Sequence, residues 1–327
     1  MRAFVTGATG FIGGHMARKL LERGYAVTCL VRDPAGEPAG RLRNQGATII
    51  HGDITEPETM RQAMEGAEVL FHIAAWYKIG AADPTPALSI NAQGTRNVLE
   101  LALQLDIPNV VYTSTVGVFG NTRGRVVDEN YHRNSPFGSH YTRSKTMAHE
   151  IAEELIVQGV PIRIVMPGAV YGPGDQSVLA LLLRAYLRGL FPVVPGADSG
   201  ISLVHVEDVA EGHILAAEKG QPGKYVLAGP SLTYGEMLRL VAQIAGRPAP
   251  LLLSSWPVPA LIQLTKFINR FFPLPPTLHP ETLQNMNRFT FWASGAKAQR
   301  ELGWRARPLR EGMEETIAWE LNHSIIE

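Results

Sequence analysis

Val5-Thr6-Gly7-Ala8-Thr9-Gly10-Phe11-Ile12-Gly13-Gly14-His15 sets glycines at 7, 10 and 13, directly after an apolar run and directly before a helix-forming one. Gly7 and Gly10 let a backbone turn tightly and approach a pyrophosphate. Gly13 lets the helix pack close to a sheet, and the helix N-terminus faces the negative charge. An ordinary glycine-rich turn between strand and helix carries the same residue types, and a lone glycine pattern is weak. The position at the first strand, with the correct flanks, favours a dinucleotide loop. Its spacing is GxxGxxG rather than GxGxxG.

Working outward, Ala3 to Thr6, Ala26 to Val31, Thr48 to His51, Val69 to Ala74, Val110 to Ser114 and Ile162 to Met166 read as strands. Each is nearly continuous in apolar character, as in a parallel sheet covered on both faces. Ile12 to Glu22, Thr59 to Met64, Thr95 to Leu105 and Ser144 to Ile156 read as helices between them. This alternation predicts an α/β fold with a doubly wound parallel sheet of Rossmann type. After Pro167 the alternation loosens and Pro and Gly cluster. Lys224 to Ala228 is expected to return to the sheet. The predicted organisation is a dinucleotide-binding domain at 1–167 plus about 202–228, and a smaller discontinuous substrate lobe at about 168–201 and 229–327.

With 30 basic and 30 acidic residues the formal net charge is zero, so no global field draws in nucleic acid or an anionic membrane. The single cysteine, Cys29, lies in an apolar strand, which excludes an intrachain disulfide and agrees with a reducing compartment. The first strand begins at once, leaving no room for a signal peptide. Arg184 and Arg188 interrupt the best apolar candidate for a membrane span. A cytoplasmic protein without nucleic-acid partners, transmembrane segment or metal site is expected.

The TGATGFIG opening resembles the extended branch of the short-chain dehydrogenase/reductase superfamily. That resemblance implies cofactor contacts from Gly7, Thr9, Gly10, Phe11, Ile12 and Gly13. It adds Asp53 and Ile54 after the third strand, Ala74 and Ala75 after the fourth, Thr113, and later Pro167 and Val170. Asp53 would meet the adenine amino group, or would instead be the N-cap of the following helix. Val31 stands where NAD-preferring extended enzymes carry Asp, and the next residue, Arg32, suits a 2′-phosphate. The alternative has Asp33 on the ribose and Arg32 as a solvated charge. NADP(H) is favoured, with NAD(H) as the other choice.

Tyr141-Thr142-Arg143-Ser144-Lys145 puts a phenol and an ammonium one helical turn apart on one face. A neighbouring ammonium, helped by an oxidised nicotinamide ring, favours the phenolate and brings tyrosine toward a working range for proton transfer. Lys145 would also bind the nicotinamide ribose. Alone, YxxxK is a common coincidence; behind this glycine loop it points to catalysis. Val110 to Gly120 resembles the family's SS(S/T)xxVYG stretch, which implies Thr115 as the hydroxyl on the substrate oxygen, with Ser114 as the fallback. Asn91 matches an NxxGTxN helix start and is read first as a structural tie near the site, with a direct role in a proton relay as the alternative.

Pro167 to Asp175 resembles the family's RPxNVYGPGD segment, with two departures. Met166 stands for Arg, and Ala169 stands where sugar-nucleotide enzymes use Asn on the substrate phosphates. Val116-Gly117 replaces the Asp-Glu pair of the dehydratases. The remainder resembles the dihydroflavonol-4-reductase-like group, including bacterial relatives known as hopanoid-associated sugar epimerases. It shares their VRDP strand end, the Ser202 to Gly220 stretch and the Glu301 to Pro308 stretch. His205 in the shared stretch is read as structural. The lobe residues Leu251, Leu252, Leu253, Trp256, Phe267, Phe271, Phe272, Phe289, Phe291 and Trp292 are read mostly as packing, with an apolar substrate pocket or contact of 248–276 with a membrane surface as alternatives. The expectation is a ketone reductase or alcohol dehydrogenase using Thr115, Tyr141 and Lys145 on a small, apolar substrate. A sugar epimerase with transient oxidation and a non-catalytic dinucleotide sensor are the rivals. A homodimer through the helices near 95–105 and 144–156 is expected by analogy.

Overall fold

The computed structural model describes residues 1–78, 81, 83–190 and 192–323. Its strands are β1 (Arg2–Thr6), β2 (Ala26–Val31), β3 (Thr48–His51), β4 (Val69–His72), β5 (Val110–Thr113), β6 (Ile162–Pro167) and β7 (Ala169–Tyr171). There follow β8 (Val193–Val194), β9 (Gly200–His205), β10 (Gly223–Leu227), β11 (Ser231–Thr233), β12 (Leu251–Leu252) and β13 (Thr290–Phe291). The helices begin with α1 (Phe11–Glu22), α2 (Glu37–Asn44), α3 (Glu58–Met64), α4 (Thr85–Leu88), α5 (Thr95–Gln104) and α6 (His140–Val157). They continue with α7 (Val178–Leu187), α8 (Val206–Lys219), α9 (Tyr234–Ala245), α10 (Val258–Ile268), α11 (Pro280–Asn285), α12 (Ala296–Leu302) and α13 (Leu309–His323).

Seven strands in the order β10-β6-β5-β4-β1-β2-β3 form the central sheet, every pair parallel. Side chains alternate faces along a strand, so Ala3 and Val5 enter one core while Phe4 enters the other. On the Phe4 side lie Met60 and Met64 of α3, Val98 and Leu99 of α5, and Ala148 and Ile151 of α6. On the opposite side lie Met16 and Leu20 of α1, Val209 and Ile214 of α8, and Leu302 of α12. This is the doubly wound architecture expected from the alternating pattern. The 224–228 run joins it as β10, pairing with β6.

The loosely patterned C-terminal part builds a second sheet, β11-β9-β13 with β7 also on β9, and a small β8–β12 pair. A third core sits there, with Tyr186, Leu203, Met237, Val241, Ile262 and Ile317.

Two boundaries differ from the sequence expectation by more than one residue. β4 stops at His72 because Ile73 N–H makes the last bond to β1, to the Thr6 carbonyl, and Ala74 N–H turns to the Thr6 side chain, Oγ1. α6 starts at His140 rather than near Ser144. Ser139 caps it, accepting from Thr142 N–H at 3.0 Å while Thr142 Oγ1 accepts from Ser139 N–H at 3.1 Å. That capping box lies upstream of the apolar-periodic stretch from which the helix was read.

Candidate active site

The strand order reverses between β1 and β4, the place where open α/β sheets bind ligands. Gly7 follows β1 with φ +79°, and a Cβ there would lie 2.5 Å from Ala74 N after β4. A Cβ on Gly13 would lie 2.0 Å from the Gly7 carbonyl oxygen. Loop, helix and neighbouring strand end thus touch through backbone. Gly10 is the N-cap of α1 and provides no side-chain cap, so the first N–H groups of that helix are available to an anion. Thr9 and Gly10 are exposed, Phe11 and Ile12 partly buried. These features fit a dinucleotide pyrophosphate.

Arg32 is exposed just past β2. The neighbouring Asp33 folds back, Oδ1 accepting from Ala35 N–H and Gly36 N–H at 3.0 Å each. Asp53 Oδ1 accepts from the Thr55 N–H and hydroxyl at 2.8 Å. It does not cap α3, whose N-cap is Pro57; the intervening turn separates them. Ile54 is buried and its carbonyl accepts from Asn97 Nδ2 at 2.9 Å. Ala74 is partly buried and Ala75 exposed. Pro167 ends β6, and Val170 pairs with Val204 across β7 and β9.

The candidate reacting groups gather at the C-terminal end of β5. Lys145 is only 2% exposed, and its Nζ donates to Tyr112 Oη at 3.0 Å and to the Thr113 carbonyl at 2.7 Å. Burial lowers its pKa to about 7. Thr113 presents only that carbonyl toward Lys145, since its hydroxyl pairs with His213 Nε2 at 2.8 Å. Ser114 Oγ, the fallback hydroxyl, pairs with His149 Nδ1 in the interior at 2.8 Å. Thr115 is partly buried, and its Oγ1 accepts from Gly117 N–H at 3.1 Å. That leaves its proton to donate. A Cβ on Gly117 would sit 3.3 Å from Thr115 Oγ1 and 3.7 Å from Thr142 Cγ2, so the Thr115 loop lies against the first turn of α6, which carries Tyr141.

Burial, and then the facing Tyr77, hold the Tyr141 phenol above the ordinary tyrosine range, while the two donor bonds of Lys145 go to β5.

Several site residues escaped the sequence reading. Tyr77 stands edge-to-face on Tyr141, with ring centroids 4.9 Å apart. Partial burial, followed by the carboxylates of Asp175 and Glu281, pushes its phenol up to about 12. Tyr234, at the start of α9, is held up by burial and by Tyr77. Arg133 ties down the turn after Thr115, donating to the Val118 and Gly117 carbonyls at 3.1 and 3.0 Å. A tyrosine within the aliphatic run of β5 was the available signal for Tyr112, since a buried phenol needs a partner. Tyr77, Tyr234 and Arg133 carried no local signal. Asn91 is fully buried and joins the loop after β4 to α6: Oδ1 accepts from Trp76 N–H, and Nδ2 donates to Trp76 O and Ser144 Oγ. His205 caps α8 through Nδ1 and stacks edge-on with Tyr171. Among the described residues no group of three or more His, Cys, Asp or Glu is placed to hold a metal.

Residues 3–229 match the model of the NAD dependent epimerase/dehydratase family. The chain belongs to that family, within the extended short-chain dehydrogenase/reductases. A Synechocystis sp. protein named for dihydroflavonol 4-reductase is 31% identical over 99% of this chain and 95% of its own length. A 4-hydroxy-2-methyl-3-oxo-4-farnesyl-3,4-dihydroquinoline-1-oxide ketoreductase from Stigmatella aurantiaca is 32% identical over 75% of this chain and 74% of its own. The solved UDP-glucose 4-epimerase of Thermus thermophilus, in complex with NAD, is 26% identical with a TM-score of 0.75, covering 99% of this chain and 100% of its own. Family and relatives support an NAD(P)-dependent enzyme of the short-chain dehydrogenase/reductase type.

Proposed function

We propose that this enzyme transfers hydride reversibly between NADP(H) and a ketone or secondary alcohol of largely apolar character. The observation that carries the reading is the grouping of Thr115, Tyr141 and Lys145 at the end of β5, on the sheet edge that carries the Gly7–Ala74 cleft. The glycine loop, Asp53, Ile54, Ala74, Ala75, Pro167, Val170 and the Thr113 backbone would hold the dinucleotide, with Arg32 on the 2′-phosphate. When bound, the nicotinamide supplies or takes up the hydride. In the reducing direction Tyr141 passes its proton to the carbonyl oxygen, so ketone, hydride and proton give the alcohol. Thr115 donates to that same oxygen, its own oxygen already oriented by Gly117 N–H. Lys145 has a third N–H for a ribose hydroxyl.

Arg32 beside an Asp33 carboxylate occupied by its own turn supports NADP over NAD. Tyr77 beside Tyr141, with Tyr234 near Tyr77, together with Ala169 in place of an amide, supports an apolar substrate rather than a sugar nucleotide. A homodimer fits the exposed Leu103, Met147 and Val157 on α5 and α6, and a cytoplasmic location fits the single buried cysteine.

Consumption of NADPH and NADH over a panel of ketones tests the reading. Turnover with NADPH is expected, and Tyr141→Phe should lower kcat by roughly a thousandfold. Protein that holds NAD tightly and shows no net consumption would overturn it in favour of an epimerase, the reading that the Thermus likeness favours. Dinucleotide binding without turnover of any substrate would leave a sensor.

A further inference from the structure

We propose that α10 and the turn after it form a docking face for the surface of an anionic phospholipid bilayer. Two observations combine. α10 has two apolar faces: Val258, Ile262 and Thr265 are buried against the lobe, whereas Leu264, Phe267 and Phe271 run along the solvent side at helical spacing. They are 55%, 59% and 65% exposed, and Phe272 and Trp256, at the two ends of the helix, are 70% and 74% exposed. An apolar stripe of this kind is not needed by the interior, because the other face already fills it.

The charge around the stripe is one-sided in a chain whose net charge is zero. From 237 to 280 there is no Asp or Glu, while Arg239, Arg247, Lys266 and Arg270 are present. Lys266 and Arg270 are exposed and lie one helical turn apart beside the stripe. The carboxylates at its margins face other partners: Asp198 accepts from Ser255 Oγ, and Glu281 lies 4.0 Å from His279 and acts on Tyr77. Exposed Trp and Phe flanked by Lys and Arg match a helix that lies in the interface between headgroups and acyl chains. Among the described residues no helix is long and apolar enough to cross a membrane, so the contact is one of lying on the surface. A second copy of the chain would bring the same cations to this face, and like charges oppose that pairing.

The test is co-sedimentation of the full chain with vesicles of phosphatidylcholine alone and of phosphatidylcholine with phosphatidylglycerol. Binding is expected only to the anionic vesicles, weakening as salt screens the charges. Lys266→Glu with Arg270→Glu should reduce the partition by at least roughly tenfold, and Phe267→Ser with Phe271→Ser and Phe272→Ser should abolish it. All five residues are exposed, and an unchanged thermal melt will establish that each variant is folded. Equal binding to both vesicles, no binding to either, or undiminished binding by the charge-reversed variant would overturn the proposal. Self-association abolished by the Phe substitutions, without vesicle binding, would instead make the face a contact between copies. None of these readouts requires turnover, so they stand apart from the proposed reaction.

Discussion

Arg32 and Asp33 are adjacent in sequence, and the sequence left the ribose to either of them. The folded chain separates them chemically, because the Asp33 carboxylate closes its own turn on Ala35 and Gly36. A guanidinium facing a 2′-phosphate makes a charge-assisted bond that a neutral side chain cannot replace. Arg32→Ala should therefore raise KM for NADPH by on the order of tenfold while leaving KM for NADH nearly unchanged. Steady-state kinetics with both cofactors checks this, and an unchanged NADPH value would move the assignment to NAD. Tyr141 and Lys145 were legible at this scale as a spacing. What the spacing could not convey is that Lys145 turns inward to Tyr112 and the Thr113 carbonyl.

At the scale of the element, α6 carries the candidate chemistry in its first two turns, and its start is set by a capping box. Tyr141 lies between the two residues of that box, Ser139 and Thr142. Removing an N-cap hydroxyl costs about 1 kcal/mol, mostly by fraying the first turn. Ser139→Ala should speed hydrogen exchange of the first-turn amides by roughly fivefold and lower kcat more than it changes cofactor affinity. Ser139→Asp keeps the cap and should restore both. If exchange at these amides is unmoved by the alanine, the cap is not what holds Tyr141 in place.

Across the whole molecule, burial depresses four histidines: His72 to about 3, and His149, His205 and His213 to about 4. A folded pKa below the unfolded value means that the ring is neutral when folded and protonated when unfolded. Unfolding then takes up protons, so stability is lost as pH falls from about 6.5 toward 4. Near pH 5 the uptake should be roughly three to four protons. Lys145, lowered to about 7, has the same sign at higher pH: stability should rise again from about 7 to about 8.5 by one proton's slope, above which the Cys29 thiol and the phenols, held up by burial, oppose it. Denaturant unfolding at a series of pH values measures both slopes. A flat curve from pH 4.5 to 6.5 would contradict the assigned burial.

The sequence by itself determined the doubly wound sheet, because continuous apolar strands alternating with amphipathic helices have few other ways to bury both faces. It also determined the glycine loop, since only glycine permits the backbone approaches at Gly7 and Gly13. These are local properties, written in spacing and residue type. Tertiary structure alone decided the surroundings of two adjacent hydroxyls: Ser114 pairs with the interior His149, while Thr115 lies against the first turn of α6. It likewise brought Tyr77 onto Tyr141, across 64 positions of chain. Contacts between residues so far apart are fixed by how elements pack, and no short pattern records them.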